Sequence, residues 1–200
     1  MSDRPDAAGA KAGPNLRGLT AADTKGARKR PRIPPWDPPF CGDIGMEVRR
    51  DGSWAYQGSP IGRLPLVKLF ASVMRREADA FFLVTPVEKV SLVVEDAPFI
   101  AVAMQVDGDG AGQTLHFTTN LGDEATAGDA HPLRAGRSDG AEAPALYVDI
   151  RGGLEARINR AVYYDLVERA VHADIEGASY FGVWSGGRFF PFGRSDEVNV

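Results

Sequence analysis

The stretch from Leu83 to Phe99 constrains this chain more than any other. Val90, Leu92 and Val94 fall on one face of an extended segment, and Lys89, Ser91 and Glu95 fall on the other, the period-two pattern of a half-buried strand. Asp96-Ala97-Pro98 interrupts the run, and Phe99 to Val106 resumes it, so the stretch is expected to be a central strand in a hairpin at mid-chain. On either side, strand and helix signals can be laid out in order.

Asp51-Gly52 lies between extended patterns at Ile44–Arg50 and Trp54–Gln57, and reads as a type I′ hairpin turn. From Pro65 the period changes. Leu66, Val67, Phe70, Val73 and Met74 share a helical face, while Lys68, Arg75, Arg76 and Glu77 lie off it, and proline suits a first turn where no N–H is lost. Phe81–Val84 returns as a strand. In the second half, Leu115–Thr119 and Leu146–Ile150 alternate as strands. A helix then buries Ile158, Ala161, Val162, Leu166 and Ala170 with Asn159 as its cap, and Gly186-Gly187 turns a last hairpin. Each half therefore reads as ββαββ. The expected fold is α+β, with duplicated units of small antiparallel sheets carrying one helix each, rather than a doubly wound parallel sheet. Arg63-Leu64 and Arg157-Ile158 open the two helix regions 94 residues apart, followed by apolar positions at matching offsets.

The domain reading is a flexible basic tail at 1–35, an N-terminal half at 36–98 and a C-terminal half at 99–200 with a mobile polar loop at 122–144. Residues 1–35 carry eight Lys or Arg against three Asp, whereas the rest of the chain holds 15 basic and 24 acidic side chains. An acidic body argues against duplex DNA as a partner, because phosphate neutralisation needs a broad basic face. The cluster Lys25 to Arg32 is either a solvated tail or a contact for RNA or an acidic partner. No apolar run suits a membrane span and no secretory signal opens the chain, so a cytoplasmic protein without a membrane partner is expected.

Chemical motifs are sparse. Cys41 is the single cysteine and the three histidines are scattered, which leaves no metal cluster and no cofactor expected. Asp107-Gly108-Asp109-Gly110-Ala111-Gly112 joins two strands instead of opening a helix, and lacks the later ligands of a calcium loop, so it reads as a hairpin turn. Ser91, Ser179 and Ser185 lack a nucleophile-elbow context. Arg63 and Arg157 precede helix starts, where free N–H groups already favour anions; each either holds a ligand or pairs with a carboxylate such as Glu47, Asp149 or Glu155. Glu88, Lys89, Glu95 and Asp96 bracket the central strand as either a structural network or the lining of a cleft.

At Gly58 to Arg63, Leu83 to Lys89, Val94 to Phe99 and Gly153 to Arg157, the chain resembles the bacterial domain of unknown function 1285 family, over about Trp36 to Phe192. The resemblance implies a duplicated core, a second half loosely like a pleckstrin-homology domain, and a site between the halves for a small anionic, nucleotide-like ligand in a signalling role. Arg63, Lys89, Asn120 and Arg157 are then expected to hold phosphate or base edges, with Glu88, Glu95, Asp96 and Glu155 beside them. Two alternatives stand: an enzyme using Glu88, Glu95 or Asp96 as acid or base on a phosphorylated or nucleotide substrate, and a protein-interaction module.

Overall fold

The computed structural model describes residues 36–137 and 144–196. The tail at 1–35, and the part of the expected loop at 138–143, lie outside the described residues. Two meanders build the first sheet: β1 (Phe40–Val48), β2 (Trp54–Tyr56) and β3 (Ser59–Pro60), then β4 (Met74–Glu77), β5 (Ala80–Val84) and β6 (Lys89–Val94). Between them runs α1 (Leu64–Ser72). The first strand of one meander lies parallel to the last of the other, giving the order β3-β2-β1-β6-β5-β4. The same strand arrangement recurs, without a helix between the meanders among the described residues, with β7 (Phe99–Asp107), β8 (Thr114–Thr119), β9 (Glu124–Thr126), β10 (Leu133–Arg137), β11 (Pro144–Arg151) and β12 (Leu154–Ile158). Here β7 and β12 are the parallel pair. After α2 (Arg160–Glu168), the strands β13 (Val171–Ile175), β14 (Ala178–Ser185) and β15 (Arg188–Arg194) form a third, antiparallel sheet.

The α+β expectation holds in its coarse form, mostly sheet with two helices. Only the three-stranded sheet β13-β14-β15 is a small antiparallel unit; the other two sheets have six strands each with a parallel pair at the centre. The order helix-then-meander occurs twice, after α1 and after α2. The meander after α1 joins β1 in one sheet, however, whereas the meander after α2 stands as a sheet of its own. One continuous apolar cluster runs from Met46, Trp54 and Phe70 through Phe99 and Phe117 to Val183 and Phe190, so the halves share a core.

Several local readings change for physical reasons. β6 is a central strand as expected, but it makes no hairpin with β7, because the two belong to different sheets and Glu95–Pro98 is the crossover between them. In the Arg49–Ser53 turn only Gly52 takes positive φ, at +81°; the Asp51 carboxylate instead accepts from Ser53 N at 2.8 Å and Ser53 Oγ at 2.6 Å, so the turn is not type I′. α1 stops at Ser72, whose hydroxyl donates back to Leu69 O. Val73 O is then taken by Val84 N, and buried Met74 starts a strand. The segment read as a polar loop from 122 contains β9 and β10, with Ala125, Ala127 and Leu133 in the core. Asn159 does cap α2, its side chain accepting from Val162 N at 2.8 Å.

Candidate functional site

The crossover from β6 to β7 places two charged residues where the halves meet. Because β6 runs beside β1, Glu95 N donates to Val48 O at 3.0 Å, and the Glu95 carboxylate accepts from Arg50 N at 2.8 Å. Asp96, with its side chain only 6 % exposed, accepts from Tyr147 Oη at 2.8 Å and lies 3.3 Å from Arg157 Nε. Arg157 Nε makes no hydrogen bond among the described residues, so that contact is an ion pair by proximity. The Arg157 Nη2 donates to Arg50 O at 3.2 Å and so ties β12 to the β1–β2 turn. The partner of Arg157 is therefore Asp96, not Glu47, Asp149 or Glu155.

Register brings the remaining members in. Arg134, Tyr147 and Arg157 stand side by side across β10, β11 and β12. The Arg134 guanidinium lies 4.1 Å from the Tyr147 ring centroid and grips Glu155 with two bonds of 2.5 and 2.7 Å. Those bonds to Glu155 raise the arginine's pKa above its ordinary value. Asn120 Oδ1 accepts from Ile100 N at 3.1 Å, and its Nδ2 faces Gly52, where a Cβ would come within 2.9 Å. Glu95, Asp96, Asn120, Glu155 and Arg157 thus belong to one seam.

The other three expected residues do not join it. Lys89 pairs with Glu77 at 3.0 Å and sits 5.0 Å from the Phe82 ring centroid, at the far end of β6 from Glu95, a separation of about 20 Å at the usual strand rise. The hydrogen bond from Lys89, and then Arg75, holds the Glu77 carboxyl below its ordinary value. Glu88 occupies the tight turn whose N–H and C=O groups bond Thr85. Arg63 is the exposed N-cap residue of α1, and its side chain makes no capping bond.

Further along the seam, a cleft of about 120 Å³ opens between α1 and the β8–β9 turn, lined by Lys68, Ala71, Ser72, Leu121, Gly122, Asp123 and Arg151. The buried Thr119 hydroxyl shapes this turn by accepting from Leu121 N and Asp123 N. Arg151 donates to Asp123 at 2.6 Å and to Ala71 O at 2.8 Å, and its guanidinium lies 5.0 Å from the Phe99 ring centroid. Arg76 completes the stitching with a 3.2 Å bond to Gly153 O. Lys68 projects over Gly122, 3.5 Å from where a Cβ would stand, and forms no ion pair among the described residues. Sequence reasoning passed over Lys68, Asp123 and Arg151. Lys68 was visible only as a charge off the helical face, and Arg151 as an arginine directly before Gly152-Gly153. Among the described residues no cluster of His, Cys, Asp or Glu could hold a metal ion.

The comparisons fit this architecture. A family model described as the DUF1285 N-terminal domain of unknown function matches residues 31–97, and one described as the DUF1285 C-terminal domain matches residues 98–192. The crystal structure of a DUF1285 family protein from Silicibacter pomeroyi DSS-3 is 46 % identical, with a TM-score of 0.79 over 88 % of this chain and 95 % of that one. A DUF1285 family protein from Shewanella baltica OS155 is 29 % identical, with a TM-score of 0.50 over 63 % of this chain and 92 % of that one. No curated protein matches. With both domain models matched in order and a solved relative alike over most of its length, this chain belongs to the DUF1285 family.

Proposed function

We propose that this is a ligand-binding protein that takes a small anionic, nucleotide-like ligand where its two halves meet, in a role in signal transduction. The observation that supports this most is the charge balance of the cleft. Lys68 and Arg151 face a single carboxylate, Asp123, and Arg151 is already spent on Asp123 and Ala71 O, which leaves Lys68 as the surplus cation. Arg151 also covers the negative end of α1, which would otherwise repel an anion. The cleft's size suits a phosphate or a sugar-sized group, with the remainder of a nucleotide lying along the seam toward Asn120 and Arg157. The nucleotide class rests on the family resemblance, and the same reading takes the recurring helix-and-meander order as a duplication and the second half as loosely pleckstrin-homology-like.

An enzyme built on Glu95 or Asp96 has less support, because Glu95 already accepts from Arg50 N and Asp96 from Tyr147. Calorimetry with nucleoside mono-, di- and triphosphates and with inorganic phosphate, followed by product analysis, separates the readings. Binding without turnover is the expected result. Consumption of a nucleotide would make the protein an enzyme, and absence of any binding would end the nucleotide proposal.

A further inference from the structure

Sheet edges invite pairing unless they are short or guarded by proline or charge. β3 is two residues long and ends in Pro60, and β9 is three residues long. β4 carries Arg75 and Arg76, β10 carries Arg134, and β15 carries Arg188, Pro191 and Arg194. β13 carries neither arginine nor proline, and its one charge, Asp174, has a histidine two positions away that an antiparallel second copy would place opposite it: Val171-His172-Ala173-Asp174-Ile175 pairs with β14 on one side, and no described residue pairs with the other. Two of its apolar side chains are left in solvent, Val171 at 44 % and Ile175 at 37 % exposure.

The sequence of this strand is complementary to itself. In an antiparallel pair centred on Ala173, Val171 stands opposite Ile175 of the second copy, and His172 opposite Asp174, so each of the two faces has matching chemistry. Val171, Ala173 and Ile175 also share a face with Tyr180, which lies opposite Ala173 on β14, and with Trp184 further along that strand. The Phe189 ring reaches over Gly182 on the same sheet, close enough that a Cβ there would lie 2.9 Å from it, and contacts Trp184 at 5.3 Å between centroids. Pairing of two edges would join these half-buried aromatic faces into one surface.

We propose that β13 is a homodimerisation edge, at which two copies of this chain pair antiparallel about a two-fold axis through Ala173 to make a continuous six-stranded sheet. A two-fold contact uses the same patch on both subunits, and the self-complementary order of the strand supplies it. A single short strand pair is a small interface, so the dimer belongs in the micromolar range.

Sedimentation velocity of the full chain across low-micromolar to near-millimolar concentrations should show a reversible monomer–dimer equilibrium. Ile175→Lys should weaken it by about tenfold or more, with the melting temperature unchanged, because it places a cation in an apolar contact. His172→Asp should weaken the dimer through opposed carboxylates, and adding Asp174→Lys to it should restore association by returning opposite charges to each pair. A wild-type protein that stays monomeric throughout, a dimer indifferent to Ile175→Lys, or a double variant that fails to recover while remaining folded would each overturn the proposal.

Discussion

Arg151 of β11 donates from Nη2 to the carbonyl oxygen of Ala71, 2.8 Å away, so a side chain of the second half closes the last turn of the first half's helix. The same guanidinium holds Asp123 at 2.6 Å and is only 11 % exposed. Arg151→Met should therefore lower stability by about 3 kcal/mol, the scale for removing one partner from a largely buried ion pair. Urea denaturation checks this, and a change below about 1 kcal/mol would show that the seam does not depend on the contact.

Arg157 is predicted to act chiefly on stability. Its ion pair with nearly buried Asp96 and its bond to Arg50 O join three segments across the seam. Arg157→Ala should cost about 3 kcal/mol, the low end for such a loss because Tyr147 still donates to Asp96. Arg63→Ala, at an exposed cap without a side-chain bond, should change stability by less than about 0.5 kcal/mol. Thermal melts of the two variants side by side measure the contrast.

Ser185 holds the third sheet to the second. Fully buried, it accepts from Leu115 N at 3.0 Å and donates to Ala127 O at 2.8 Å. Ser185→Ala leaves both backbone groups without those bonds and should cost about 1 to 3 kcal/mol. Equilibrium unfolding read by intrinsic fluorescence would show it as a shifted midpoint with an unchanged slope.

Two carboxyls drive stability in opposite directions on acidification. Lys89 and Arg75 hold Glu77 below its ordinary value of 4.5, so its contribution is present above that value and is lost as pH falls through the lower folded pKa. Burial pushes Asp149 above its ordinary 3.8, so protonation favours the folded state, and that gain disappears as pH rises through the raised value. Asp149→Asn should then be neutral or stabilising at pH 7 with a steeper acid loss than wild type, whereas Glu77→Gln should flatten the acid limb. Denaturation curves between about pH 3 and pH 7 test both signs.

What the sequence disclosed follows from how local each signal is. The period-two run of β6, the Gly186-Gly187 turn and the Asn159 cap depend on neighbours in the chain, and all three were legible. Asp96-Ala97-Pro98 looked like a hairpin turn because a turn and a crossover share the same breakers, and only sheet membership distinguishes them. Met74–Glu77 continued a helical pattern until Val73 was captured by Val84, a long-range pairing. β9 was hidden because its one buried residue, Ala125, is too small to show a period. At the seam, Glu95, Asp96 and Arg157 were identifiable as charges next to apolar strands. Their partners Arg50 and Tyr147 are set by tertiary register, which leaves no mark in sequence spacing.

Anion binding in the Lys68 cleft is tested by calorimetric titration of the nucleotide panel and inorganic phosphate into wild type, Lys68→Ala and Arg157→Ala under one buffer condition. Wild type should bind saturably, Lys68→Ala should lose about 1.5 to 3 kcal/mol of binding at unchanged melting temperature, and Arg157→Ala should lose less. Full affinity in Lys68→Ala, or no heat of binding from any member of the panel, would contradict anion binding in that cleft.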